Sequence, residues 1–98
     1  MAQLIITYWR DIPSQVTVKA GRKAQKIMLP ERFQEAIDMA AMRSGAADTD
    51  DYLAEWRRAD PVECGDDLEA EAAAAAAKID ADFDKDRLKA LIDSGGRA

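Results

Sequence analysis

Gln3-Leu4-Ile5-Ile6-Thr7-Tyr8-Trp9 is the stretch whose reading decides the fold. It is short, β-branched and aromatic, which makes a strand. Side chains alternate along a strand, so Leu4, Ile6 and Tyr8 share one face and Ile5 and Trp9 the other. Both faces are apolar, which places this strand inside a sheet. Arg10-Asp11-Ile12-Pro13-Ser14 breaks the pattern, because Pro13 has no N–H for a ladder. Residues 15–19 then alternate, with Val16 and Val18 inward and Gln15, Thr17 and Lys19 outward. That is a half-buried antiparallel strand. Ala20-Gly21-Arg22-Lys23 supplies a turn, with Gly21 taking a positive φ at little cost. Residues 24–29 return as a weaker strand, and Lys23 and Lys26 suit a protected sheet edge.

Outward from this hairpin, residues 30–44 predict a helix. Pro30 fits its start, and Glu31 complements the positive helix end. Phe33, Ala36, Ile37, Ala40 and Ala41 form one apolar stripe, with Gly45 as the stop. Its small alanine face allows close approach to a sheet. Residues 46–51 are a polar connection. Residues 52–58 admit two readings. A strand puts Tyr52, Ala54 and Trp56 on one face. A helix capped by Asp48 or Thr49 groups Tyr52, Leu53 and Trp56. The aromatics, Arg57-Arg58 and the following Asp60-Pro61 favour the strand. Residues 65–82 are a firm helix, capped by Asp66 or Asp67, with six alanines at 72–77. Leu68, Ala72, Ala76, Ile79 and Phe83 form its seam. Residues 84–94 make a last short helix with Leu88, Leu91 and Ile92 inward, continuous with the previous one or kinked near 82–84. The expected class is α+β, a small antiparallel sheet with helices on one face, in the order β-β-β-α-(β)-α-α. We expect one domain over 1–98, residues 1–64 holding the sheet and first helix and 65–96 an Ala-rich helical segment packed on it.

Length and composition agree with one thin core. Of 98 residues, 47 are hydrophobic, but 20 of these are alanine. No apolar run approaches the roughly 20 residues of a spanning helix. The first residues lack the plan of a signal peptide, which with the single cysteine suggests a cytoplasmic protein. Charge is split. Residues 1–45 carry seven Lys/Arg against four acids, and residues 46–98 carry seven against fifteen. The acidic balance disfavours nucleic acid, whose affinity comes mostly from phosphate contacts. The aromatics Tyr8, Trp9, Tyr52 and Trp56 are better explained as a core cluster than as base-stacking groups.

The chemistry is narrow. With no histidine, Ser–His and Cys–His pairs and most zinc sites are gone. Asp80, Asp82 and Asp84 imitate the start of a calcium loop. Lys85 stands where that loop needs Gly, and Leu91 where it needs Glu. Cys64 precedes a helix start, where a thiolate gains backbone donors, but Glu63, Asp66 and Asp67 oppose ionisation. It is read as structural, with a role as a ligand or redox group as the alternative. No catalytic residue, metal or cofactor is assigned. The expected partner surface is a strip of Arg10, Arg22, Lys23, Arg57 and Arg58, since guanidinium forks suit carboxylates and phosphates. Structural bridges from the Arg57-Arg58 pair to Asp11, Asp48 or the acids at 66–69 are the competing reading.

Three strings carry a family resemblance: Tyr8-Trp9-Arg10-Asp11-Ile12-Pro13; Arg22-Lys23-Ala24 leading into Leu29-Pro30-Glu31-Arg32-Phe33; and Tyr52-Leu53-Ala54-Glu55-Trp56-Arg57-Arg58 followed by Cys64-Gly65-Asp66-Asp67-Leu68-Glu69. In these the chain resembles the small bacterial "virulence factor" family, a domain of unknown function. The resemblance implies no catalytic residue. It is also similar to a segment of longer bacterial proteins with an iron–sulfur scaffold-like domain and HEAT repeats. That context makes an accessory role in metal or iron–sulfur assembly, through Cys64, an alternative to a protein-interaction domain. The Cys-x-x-Cys pair of such scaffolds is missing here. A weak nucleic-acid module is a third alternative.

Overall fold

The structure is a computed structural model that describes residues 2–45 and 49–97. Along them run β1 (Ala2–Trp9), β2 (Ile12–Ala20), β3 (Lys23–Met28), α1 (Glu31–Ser44), α2 (Thr49–Ala54), β4 (Trp56–Arg58), β5 (Val62–Cys64), α3 (Leu68–Asp82) and α4 (Lys85–Asp93). The class is α+β. The strands are ordered β3-β2-β1-β4, with β5 also paired to β1, and every pairing is antiparallel.

β1 is interior, as its two apolar faces demand. Leu4 stands opposite Val18, Ile6 opposite Val16, and Val16 opposite Ile27. Cross-strand partners share a face, so these residues form one apolar surface, with Val16 and Val18 fully buried. α3 lies against β1, β2 and β3. Its buried Ala72 and Ile79 and half-buried Leu68, Ala75 and Ala76 belong to the same core. Polyalanine works here because small side chains let the helix sit close to the sheet. Asp67 caps α3 by accepting from the Ala70 N–H.

Several sequence expectations change. The break at residues 10–14 shrinks to Arg10-Asp11, because β2 already begins at Ile12 and includes Pro13. A register shift explains this: Thr7 pairs with Gln15 but Tyr8 with Pro13, leaving Ser14 as the extra residue. The Ser14 carbonyl accepts from the Leu29 N–H instead, and the β3 ladder reaches only Gln15, short of Pro13. Secondly, residues 52–58 are neither all strand nor all helix. α2 ends at Ala54 and β4 starts at Trp56. A strand would hold Tyr52 and Trp56 more than ~12 Å apart at about 3.3 Å per residue. The helical turn brings their rings to 5.9 Å, edge to face, and lets the Tyr52 carbonyl accept from Trp9 Nε1 at 2.9 Å. Thirdly, β5 was not foreseen. Its three residues carry no pattern of their own, and pairing with Ala2, Gln3 and Leu4 makes them a strand. The polar connection expected at 46–51 also shortens, because α2 already begins at Thr49; residues 46–48, with the cap at Asp48, and the Thr49 side chain lie outside the described residues and side chains.

α1 buries Phe33, Ala36, Ile37, Ala40 and Ala41, the stripe read from the sequence. It packs against β2, and also against α4, whose Leu88 and Leu91 are buried and Ile92 half-buried. α3 and α4 are separate helices, since Asp84 starts a new one by accepting from the Arg87 N–H. Arg32 ties the helices together. It donates to the carbonyls of Asp80 (2.9 Å) and Phe83 (3.2 Å) at the end of α3 and pairs with the Asp80 carboxylate. Phe33 meets Phe83 at 6.1 Å between ring centres.

Phe33 is 1% exposed and Ile37 fully buried. Replacing either by Ala should cost about 2–5 kcal/mol, from lost burial plus a cavity. Urea titration followed by circular dichroism checks this. An unchanged midpoint for both variants would mean that the α1 stripe does not hold the core.

Candidate interaction surface

The turn between β1 and β2 is built from Arg10 and Asp11. Arg10 has φ 53°, a left-handed conformation rare for a residue with a side chain. Four contacts hold it there. Its backbone N–H donates to the Glu55 carbonyl at 3.1 Å. Its guanidinium donates to the Gly95 carbonyl at 2.7 Å, pairs with Glu55 at 3.5 Å and stacks 4.8 Å from the Trp9 ring centre. Next door, the Asp11 N–H donates to the Gly96 carbonyl at 2.8 Å. The Arg10 side chain is only 11% exposed, so its guanidinium serves the fold. Gly96 has φ 90°, and a Cβ there would come within 2.9 Å of the Trp9 ring. Glycine is therefore required where the chain closes over Trp9.

Arg57 and Arg58 lie on β4, opposite Tyr8 and Thr7. Arg57 donates from Nε to the Arg10 carbonyl (3.0 Å), pairs with Asp11 (3.1 Å) and stacks on Tyr8 (4.7 Å). The structural bridge to Asp11 weighed in the sequence reading is present, although half of the Arg57 side chain faces solvent. Arg58 is exposed. Among the described residues no ion pair holds Arg58, Arg22 or Lys23.

The five-residue strip is not one surface. Arg22 and Lys23 stand at the β2–β3 turn, where Lys23 pairs with Ala20. Lys19, just before that turn, is opposite Gln3, near the start of β1. Arg10, Arg57 and Arg58 are at the other end of β1, about 20–25 Å away at roughly 3.3 Å per residue. Cys64 shares the Arg22 end, paired with Ala2 and half-buried. Burial pushes its thiol pKa up, and the carboxylates of Glu71 and Asp66 push it further in the same direction. Glu71 also accepts from the Gly65 N–H at 3.1 Å, which keeps its charge beside the cysteine. Among the described residues no group of three His, Cys, Asp or Glu side chains could hold a metal ion, and no helix is long and apolar enough to cross a membrane.

Next to the Arg10 turn lies a cleft of about 350 Å³ that sequence reasoning missed. Phe83, Ala90 and Leu91 supply apolar walls, while Asp11, Arg87, Ser94 and Arg97 supply polar ones. Arg87 stacks on Phe83 with its guanidinium 4.0 Å from the ring centre and donates to the Asp82 carbonyl at 3.1 Å. Nothing local marks Arg97, which arrives through the Gly95-Gly96 turn and pairs with Glu55 at 3.6 Å.

Arg10→Ala removes a part-buried charge-assisted bond and the wedge between Trp9 and Gly95. It should lower stability by about 1.5–3 kcal/mol, and Arg57→Ala, half exposed, by about 1 kcal/mol or less. Parallel denaturant melts test that ranking, and a larger loss for Arg57→Ala would reverse the assignment of roles. For Cys64, a raised native thiol pKa means that ionisation opposes folding. Below the thiol pKa of the unfolded chain both states are protonated and the thiol leaves stability unchanged; as pH rises from there through the higher native value, stability falls. Disulfide-reagent kinetics between neutral and alkaline pH should show slower reaction in the native than in the unfolded protein, and a faster one in Glu71→Gln. Equal native and unfolded rates would contradict this.

No curated protein and no solved structure matches the chain. The family model described as "Virulence factor" matches residues 7–92. That span contains the Arg10 turn, the β4 arginines and most of the cleft, and on its strength the chain belongs to the virulence factor family.

Proposed function

We propose that this chain is a non-catalytic, cytoplasmic accessory domain that works by binding a protein partner through the arginine-bearing end of its sheet. One observation carries the reading: Arg58 is exposed on the short strand β4, held by no ion pair among the described residues, beside an Arg57 already oriented by Tyr8 and Asp11. A guanidinium matches a carboxylate with a planar fork. The partner surface that fits is acidic.

The test is affinity capture with the tagged chain, comparing the parent, Arg58→Ala and the double variant Arg57→Ala/Arg58→Ala. Retained folding with loss of a reproducible partner in Arg58→Ala supports the reading. The double variant should lose the partner too, with a small drop in melting temperature because Arg57 also braces the turn. A partner captured equally by all three, or a drop in melting temperature as the sole effect, would sink it.

A further inference from the structure

We propose that the cleft over Phe83 and Leu91 receives one large apolar side chain from an acidic segment of a protein partner. This deepens the interaction reading above and rests on it. The cleft volume of about 350 Å³ is at the low end of sites that enclose small ligands, which run from about 300 Å³ upwards. It suits a side chain better than a cofactor. Its apolar part is Phe83, half-buried, and Leu91, 6% exposed, with the exposed Ala90 at its mouth.

The polar part selects charge. Arg87 and Arg97 both line the cleft, and Asp11, the one acid among the described lining residues, pairs with Arg57 at 3.1 Å. Each guanidinium has N–H donors to spare, since a guanidinium carries five. Arg87 uses one on the Asp82 carbonyl. The Arg97 pairing with Glu55 is long, at 3.6 Å, and the Arg97 side chain is 62% exposed. An exposed pair of that kind is worth little and exchanges readily for a better-placed carboxylate. Glu55 keeps Arg10 as a partner if Arg97 turns away. Asp11 links the cleft wall to Arg57 on β4.

The experiment uses the whole chain and a fluorescein-labelled hexapeptide, Glu-Asp-Leu-Phe-Asp-Glu, followed by anisotropy at low and high salt and by amide shifts in ¹⁵N spectra. Saturable binding that weakens with salt, with shifts at Ala90, Leu91 and Ser94, is the expected result. Ala90→Trp, which fills the mouth from an exposed position, and Arg97→Glu should each weaken it by about tenfold or more, the effect of losing a central anchor. Several outcomes overturn the proposal: no binding; equal binding of Glu-Asp-Ser-Ser-Asp-Glu; N-acetyl-leucine binding as tightly as the peptide; or concentration-dependent dimerisation that Ala90→Trp abolishes, which would give the cleft to a second copy. The shift map decides even if a variant fails to fold. Should Arg58→Ala abolish partner capture while the peptide does not bind, the interaction reading stands and the cleft assignment alone falls.

Discussion

The contact on which the rest of this structure depends is the Arg10 guanidinium between the Trp9 ring and the Gly95 carbonyl. Arg10 occupies a left-handed backbone conformation, which costs a residue with a side chain on the order of 1–3 kcal/mol. Such a conformation persists only where its surroundings over-determine it. Here they are the backbone bond to Glu55, the ion pair to the same residue, and the neighbouring Asp11 N–H on Gly96. One two-residue turn thereby joins the β1–β2 hairpin, the α2–β4 link and the chain after α4. The arrangement is not fully satisfied, for Arg10 Nε is buried without a hydrogen-bond partner among the described residues. Its other N–H groups make the useful bonds.

That hub gives the Tyr8-Trp9-Arg10-Asp11-Ile12-Pro13 string a physical meaning. Tyr8 is the stacking face for Arg57. Trp9 is fully buried and bonded to α2. Asp11 neutralises Arg57. Ile12 stands opposite Trp9, also fully buried, and Pro13 pairs with Tyr8 just before the extra residue Ser14. The string that carries the family resemblance is thus largely architectural. The exposed arginine Arg58 and the cleft lie beside it. This separates two jobs that look alike in a run of arginines: Arg10 braces, Arg57 braces and is half presented, and Arg58 is presented.

Charge is sorted by the fold as well as by the chain. The acids around the start of α3 sit at the Cys64 end of the sheet, near the basic β2–β3 turn, while Arg10, Arg57, Arg58, Arg87 and Arg97 gather at the other. Sheet edges are protected against unwanted pairing. β3 carries Lys23 and Lys26, and the opposite edge is split into β4 and β5 by Asp60-Pro61. The sheet therefore offers no long open strand at either edge among the described residues.

How much of this was legible follows from the range of the forces involved. The hairpin strands, the α1 stripe, a cap at Asp66 or Asp67 and the Gly45 stop depend on residues within a few positions of one another, and local pattern exposes them. By itself the sequence determined an α+β class, an interior first strand, a core containing Phe33, Ile37, Val16 and Val18, and the absence of histidine chemistry. Tertiary structure alone decided the rest. Tyr52 is helical because it must reach Trp9, 43 positions away in sequence. Residues 62–64 are a strand only because β1 offers them a ladder. Arg10 is covered because Gly95, 85 positions on, lies over it. Arg22 and Lys23 part from Arg57 because β1 separates the two turns. The cleft exists because Asp11, Phe83 and Arg97 converge from three places in the chain. A local pattern records which face a residue turns to the core. It holds no record of which distant segment arrives to cover that face, because that is settled by packing and chain closure.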